Sequence, residues 1–332
     1  MPVKINNLKD AKVTVVKRPP TLLGRFEVDF SAKAVITRHW NDLRESPGDA
    51  VSDLEKVKGG FRIRYKHGDI YYGGSGAPAW IHGAIRIRYE EIGGPNSWLG
   101  LPKADESDFS EGGRVVVFQN GEIYWWPDVG AVELNEVRVH YTGLICFEET
   151  NWDASSNSDE PYVIISTVAY NGGHTEKTRT YDDVDGGESR PDLLDVYLGK
   201  PWGLAIHCLL MEHDEGNPDK YKEVVKNAVM AASAGISTVT ALVPIVGPAL
   251  SGIVGPLLKL LEPDIVGGVN ALLDTDDDQL GQHAIVLTGK DMVVFAAKAM
   301  ESKEKDVIYK FATPNISGDG ASYRVYFTMS PA

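Results

Sequence analysis

The chain has 332 residues, of which 43% are apolar and 24% are charged, a composition typical of a soluble globular protein long enough for two domains. Its net charge is −14, but residues 1–135 carry 18 basic and 18 acidic side chains, so the whole excess lies in residues 136–332. This uneven charge predicts a domain boundary near residue 135. The lack of a basic stripe argues against nucleic acid as a partner.

The first 35 residues show two strand-like runs, Ala11–Val16 and Gly24–Phe30, separated by a double proline. No apolar signal core is present at the N-terminus, so a classical signal peptide is not visible. The only two cysteines, Cys146 and Cys208, each lie in an apolar run. This favours two buried free thiols over one disulfide.

From residue 36 the chain repeats itself after about 53 residues. The segment Tyr65-Lys66-His67-Gly68-Asp69-Ile70-Tyr71-Tyr72 aligns with Phe118-Gln119-Asn120-Gly121-Glu122-Ile123-Tyr124-Trp125, and Ile36–Trp40 aligns with Ile85–Tyr89. The shared pattern, aromatic-x-x-Gly-acid-Ile-Tyr-aromatic, predicts a strand, a tight turn that needs glycine, and a second strand.

The second copy resembles the LGFP repeat through Trp98-Leu99-Gly100-Leu101-Pro102, Gly113-Arg114 and Ile123-Tyr124-Trp125. The resemblance covers roughly residues 36–135. It implies a secreted or cell-envelope protein that is attached to wall glycans.

Five aromatic side chains of this region are candidates for stacking on sugar rings: Trp40, Tyr72, Trp98, Tyr124 and Trp125. The alternative is that such small β-units need large aromatic residues simply to form a core.

After residue 136 the sequence is typical of an antiparallel β-sandwich, with short apolar runs separated by loops rich in Gly, Asp, Asn and Ser. The predicted strands are Val137–Phe147, Tyr162–Tyr170, Glu176–Tyr181, Leu193–Leu198, Leu204–Met211, His283–Thr288, Val307–Phe311 and Tyr323–Met329.

Carboxylates crowd two loops of this sandwich: Asp153, Asp159 and Glu160 in the first, and Glu212, Asp214 and Asp219 in the second. If the loops meet, their charges repel each other unless a cation lies between them. Ca²⁺ prefers carboxylate, carbonyl and water oxygens, whereas the thiolate and imidazole clusters typical of Zn²⁺ are not seen. A third candidate loop carries Asp182, Asp183 and Asp185, for which the alternative is a solvated turn.

The segment Ser158-Asp159-Glu160-Pro161-Tyr162-Val163, with Asp153 six positions before Asp159, resembles the first calcium-binding loop of C-two domains. The resemblance covers about residues 137–220. It implies a sandwich whose loops at one end share Ca²⁺ ions, with Glu212 and Asp214 in the second loop. The sequence departs from the family in having Glu at 212 and a spacing to Asp219 that is one residue shorter.

Residues 220–273 predict an inserted hydrophobic helical hairpin, with Asp219 as its N-cap. Two interpretations of the hairpin stay open: it packs against its own sandwich, or it enters a bilayer after a trigger.

These features predict a mainly β protein with a helical insertion: a β-hairpin repeat module (1–135) followed by an antiparallel C-two-like β-sandwich (136–332). We expect a non-enzymatic, secreted or cell-surface protein. Its repeats would bind a glycan or cell-wall polymer, and its Ca²⁺-loaded sandwich would bind a phospholipid membrane or another partner. The alternative is a secreted toxin-like protein whose hairpin permeabilises membranes. No arrangement of histidines and carboxylates typical of a hydrolase is seen in the sequence.

Overall fold

The computed structural model describes residues 20–150, 158–213, 219–227, 229–230, 279–301 and 309–332. Within these residues the chain is mainly β, as predicted, and its strands form four antiparallel sheets. The prediction of Ala11–Val16 as a strand lies outside the described residues.

Each copy of the repeat is a helix followed by a four-stranded meander. The first unit contains α1 (Pro20–Asp42), β1 (Glu55–Val57), β2 (Gly60–Tyr65), β3 (Gly68–Tyr72) and β4 (Ala79–Ile81). The second contains α2 (Gly83–Glu91), β5 (Ser107–Phe109), β6 (Gly113–Val117), β7 (Glu122–Trp126) and β8 (Gly130–Leu134).

The prediction of Gly24–Phe30 as a strand is wrong, because this run belongs to helix α1. Ala32 and Ile36 are buried, and Trp40 packs against the same cluster. Their spacing of four places them on one face of a helix, and this face covers the first sheet. The hairpin module of the prediction is therefore a helix-plus-sheet repeat.

Matching contacts confirm that the two units are copies of one structure. The Trp40 indole donates a hydrogen bond to the carbonyl of Gly48 at 2.7 Å, and the Tyr89 hydroxyl donates to that of Gly100, also at 2.7 Å. The predicted hairpins form around the turn glycines, with Tyr65 opposite Gly68 in the first unit. The aligned aromatic and polar residues thus have aligned structural roles.

The first repeat is joined to the second through a buried carboxylate and two apolar side chains. Asp69, fully buried, accepts a hydrogen bond from Arg86 of helix α2 at 3.0 Å. Tyr71 and Ile81 enter the core of the second unit, where the Tyr71 ring meets Tyr89 edge-on with ring centroids 5.7 Å apart.

The C-terminal part is the predicted sandwich of two sheets. One sheet has the order β11-β10-β13-β14, and the other has the order β12-β9-β17-β15, with β16 paired to β17. Their bounds are β9 (Val137–Glu148), β10 (Pro161–Ala169), β11 (Gly172–Lys177), β12 (Ser189–Gly199), β13 (Leu204–Glu212), β14 (Gln279–Leu287), β15 (Tyr309–Ala312), β16 (Ile316–Gly318) and β17 (Ala321–Pro331).

Two local predictions in the sandwich need correction. The predicted strand Glu176–Tyr181 is displaced, because β11 ends at Lys177 and the Thr178 hydroxyl then accepts a hydrogen bond from the Val163 amide at 3.0 Å. Helix α3 (Gly289–Glu301) was not predicted; it buries Met292, Val293 and Ala296 in the main core.

The sandwich docks on the second repeat as the second repeat docks on the first. Glu122, which is equivalent to Asp69, binds Lys200 at 2.8 Å. Tyr124 and Leu134, which are equivalent to Tyr71 and Ile81, enter the sandwich core. The hydrophobic core is therefore continuous across residue 135.

Little of the predicted helical insertion 220–273 is described. Residues 219–227 are helical, and Lys222 pairs with Glu176 of β11 at 2.7 Å. The rest of the hairpin, except residues 229–230, lies outside the described residues. None of the helices that the structure describes is both long and apolar enough to cross a bilayer.

Candidate functional site

Strand register brings the acidic loops to one end of the sandwich. Pro161, the first residue of β10, pairs with Glu212, the last residue of β13. Asp159 forms an isolated bridge with Val184, so the loop between β11 and β12 reaches the same end. We call the carboxylates there the acidic rim: Glu149, Asp159, Glu160, Asp182, Asp183, Asp185, Glu188 and Glu212.

Asp159 has a structural role at the base of the rim. It is only 1% exposed, and its Oδ2 accepts a hydrogen bond from the Tyr323 hydroxyl at 2.5 Å. Thr150 donates to its Oδ1 from the hydroxyl at 2.7 Å and from the backbone amide at 3.0 Å. Burial and the bond to Asp159 raise the pKa of Tyr323 far above its usual range, so Tyr323 stays the donor. Asp159, which was predicted as a Ca²⁺ ligand, therefore fastens the first loop to β17 through these hydrogen bonds.

The loop between β11 and β12 concentrates negative charge. Desolvation, followed by repulsion from the carboxylates of Glu149 and Glu188, raises the pKa of Asp185. Asp183 is exposed and accepts a hydrogen bond from the Ser158 hydroxyl at 2.7 Å, which links this loop to the first one. A cation near Asp185 would relieve the repulsion.

A cation of the chain itself offsets part of this charge. The Arg190 guanidinium binds Glu188 at 2.7 Å and donates to the carbonyl groups of Asp182 and Asp183. The hydrogen bond from the Asp185 amide, together with Arg190, lowers the pKa of Glu188. Neither Arg190 nor Glu149 was singled out from the sequence, because each belongs to the rim only through folding.

The remaining predicted ligands are only partly placed. Glu160 is exposed, and its carbonyl accepts a hydrogen bond from the His213 amide at 3.2 Å, which joins the first and second loops. Asp219 is helical within the described segment 219–227, and residues 214–218 before it lie outside the described residues, so its role as the N-cap stays a prediction. Asp153 and Asp214 lie outside the described residues.

The chemistry of the rim fits a hard cation, since its donors are carboxylate and carbonyl oxygens. Among the residues that the structure describes, no three His, Cys, Asp or Glu side chains already form a metal cluster. The described part of the rim thus combines negative charge with oxygen donors suited to a hard cation, but its carboxylates are not yet gathered into a coordination site.

The predicted aromatic platform reduces to one strongly exposed ring. Trp98 is 49% exposed and lies over Gly121. Tyr124 is 0% exposed, and its hydroxyl accepts a hydrogen bond from the Trp202 indole of the sandwich, so its prediction as a surface platform is wrong. Trp40, Tyr72 and Trp125 are half-buried and pack against the cores of the repeats.

Comparison with known proteins supports the resemblance to the LGFP repeat. The family model described as the LGFP repeat matches residues 99–142, which cover the four strands of the second copy and extend into β9. No curated protein matches the chain.

Solved structures similar to the chain include C-two domains. The C-two A domain of a plant Extended Synaptotagmin 1 aligns with 10% identity and a TM-score of 0.27, over 59% of this chain and 95% of that one. Human GIVD cytosolic phospholipase A2, in complex with methyl gamma-linolenyl fluorophosphonate and terbium chloride, also aligns with 10% identity and a TM-score of 0.27. That alignment covers 59% of this chain and 17% of the phospholipase.

Proposed function

We propose that this is a non-enzymatic surface-attachment protein, secreted or held at the cell surface, whose acidic rim binds Ca²⁺. The observation that carries the proposal is the convergence of three carboxylate-bearing loops at one end of the sandwich, with Pro161 opposite Glu212 and Asp159 bridged to Val184. Calcium tolerates irregular sets of loop oxygens, which such an end supplies.

Charge reversal is the proposed mechanism. Without cations, the carboxylates of Asp183, Asp185 and Glu149 repel one another and any anionic surface. Bound Ca²⁺ would remove this repulsion and leave open coordination positions for phosphate or carboxylate oxygens of a membrane or another partner. The proposed attachment therefore depends on calcium and not on net protein charge.

The repeats supply the second half of the proposal. The LGFP match begins at residue 99 and covers the sheet of the second unit. Trp98, directly before the match, presents a half-exposed ring suited to stacking on a sugar. We assign glycan or cell-wall binding to this face.

Calorimetric titration with CaCl₂ tests the rim. Wild-type protein should bind Ca²⁺, and Asp183→Asn/Asp185→Asn should bind at least about tenfold more weakly, because two anionic ligands are neutralised. The matched control is Asp53→Asn/Asp108→Asn, which removes the same charge from the exposed surface of the repeats. If the control variant loses as much Ca²⁺ affinity, the effect comes from net charge and not from lost ligands. If the wild-type protein binds no Ca²⁺, the proposal is refuted.

Co-sedimentation tests attachment. Wild-type protein should pellet with anionic phospholipid vesicles in CaCl₂ but not in EDTA, whereas Trp98→Ala should lose pelleting with insoluble wall glycan while keeping vesicle binding. Leakage of vesicle contents would instead favour the toxin-like alternative.

A further inference from the structure

A cleft of about 550 Å³ lies between the two repeats, and four of its ten lining residues are cations. Its walls are β1 and β2 of the first unit, with Lys56, Lys58, Arg62 and Arg64, and the turn after helix α2 of the second unit, which includes Gly94. We call it the inter-repeat cleft. It is a basic site in a chain whose net charge is −14.

The internal repeat shows that the scaffold does not require these cations. Arg62 and Arg64 pair with Tyr71 and Asp69. In the second unit, Val115 and Val117 pair with the equivalent Tyr124 and Glu122. Lys56 lies opposite Phe61, where the second unit has Asp108 opposite Arg114. The cations are thus a property of the first repeat alone.

The equivalent place in the second repeat is closed. Phe109, which takes the position of Val57, is 3% exposed and contacts Gly289 of helix α3, where an added Cβ would lie 2.8 Å from the ring. Val115 is likewise buried in the core shared with the sandwich. One repeat interface is sealed by apolar groups, whereas the other is left open and basic.

The cations of the cleft keep hydrogen-bond donors and charge that are not satisfied by contacts within the protein. Arg62 binds Glu55 at 2.6 Å and Tyr71 at 3.2 Å, which leaves part of its five-donor guanidinium unoccupied. Lys56 and Lys58 are exposed, and neither has an ion-pair partner among the described residues. The one lining carboxylate, Glu90, faces Arg86 at 3.6 Å.

We propose that the inter-repeat cleft binds an oxyanion, namely a phosphate or carboxylate group carried by the surface polymer that the repeats attach to. Arg62 is held in place by Glu55 and Tyr71 and would offer directional N–H donors, while Lys56 and Lys58 supply mobile charge. The oxyanion chemistry follows from the cleft itself, whereas the assignment of the oxyanion to a surface polymer rests on the attachment role proposed above.

Titration with inorganic phosphate and with oligogalacturonate, at low ionic strength, tests the site and separates phosphate from carboxylate sources. Wild-type protein should bind at least one probe. Lys56→Gln/Lys58→Gln should weaken binding about tenfold or more, because two charge-assisted contacts are lost. Arg64→Val, which installs the residue of the second repeat, should weaken it about threefold to tenfold.

Two controls make the test specific. Lys66→Gln/Lys103→Gln removes the same charge from exposed positions outside the cleft and should leave the affinity within about twofold. Glu90→Gln should strengthen binding, because it removes the lining carboxylate. Equal loss in the control pair, or a wild type that binds neither probe, would overturn the proposal. If the Lys56→Gln/Lys58→Gln variant binds neither probe but still pellets with insoluble wall glycan, and Trp98→Ala does not pellet, the glycan attachment does not use the cleft. Failure of the cleft proposal is then distinguished from failure of the proposed attachment.

Discussion

Replacing Lys200 by Met isolates the energetics of docking between the second repeat and the sandwich. The Glu122 side chain is 4% exposed and that of Lys200 is 19% exposed, with 2.8 Å between the charged atoms. Burial raises the pKa of Glu122, while Lys200 opposes the rise. In Lys200→Met, the Tyr124 hydroxyl at 3.4 Å is the one side-chain hydrogen-bond donor that the described residues still offer the carboxylate. Its charge is then buried without a counter-ion.

The cost has an upper limit set by protonation. At pH 7, protonating a carboxyl group of ordinary pKa about 4.3 costs about 3.7 kcal/mol, so the loss of unfolding free energy in the variant should not exceed about 4 kcal/mol. Because the pKa of the folded carboxyl exceeds that of the unfolded one, the loss is complete above the folded pKa and shrinks as pH falls. The loss should decrease as the pH falls, by at most about 1.4 kcal/mol per pH unit, and should be no more than about 1 kcal/mol at pH 5.

Urea unfolding at pH 5, 6 and 7, followed by tryptophan fluorescence, measures this loss. Lys200→Arg keeps the cation and should be nearly neutral, whereas Glu122→Gln/Lys200→Met should recover most of the loss and abolish its pH dependence. Lys290→Met breaks the exposed pair with Asp128 at the same interface and should leave the stability nearly unchanged, because solvent screens this pair. A pH-independent deficit in Lys200→Met would refute the role given to the Glu122 charge.

Two further predictions concern packing and the thiols. Gly121→Ala places a methyl group 2.7 Å from the Trp98 ring, so the ring must move, and the tryptophan emission maximum should shift with a loss of about 1 to 3 kcal/mol. Gly112→Ala meets open space at a φ of 72° and should cost only backbone strain, about 1 to 2 kcal/mol, without the spectral change. Burial raises the pKa of Cys146 to about 11 and that of Cys208 further; mass spectrometry after iodoacetamide treatment at pH 8 should therefore find both unmodified in native protein and both labelled in urea. Labelling of either thiol in the native state would contradict its burial.

The predictions that held depended on local patterns. The turn glycine and acid of each repeat, Gly68-Asp69 and Gly121-Glu122, were placed correctly because a tight hairpin constrains neighbouring residues. The sandwich followed from alternating apolar runs such as Val137–Glu148. The free, buried state of both cysteines was also correct.

The predictions that failed needed information from distant parts of the chain. Tyr124 is indistinguishable in sequence from a surface aromatic, and only docking of the sandwich buries it. The cation that neutralises Asp69 lies 17 residues away, whereas the one for Glu122 lies 78 residues away, so no spacing rule could have found both. Helix α3 did leave a local signal, since Thr288 and Asp291 form a reciprocal cap.

The repeated docking arrangement bears on how the proposed sites can act together. Asp69 and Glu122 are each buried and neutralised by the unit that follows, so separating the units would leave a carboxylate and a cation without their partners. Tyr71 with Ile81, and Tyr124 with Leu134, would expose apolar surface at the same time. Hinge motion at either junction is therefore costly. These junctions consequently hold the inter-repeat cleft and the acidic rim in a fixed arrangement. A polymer bound at the repeats and a calcium-dependent partner bound at the sandwich would therefore be kept at a fixed separation.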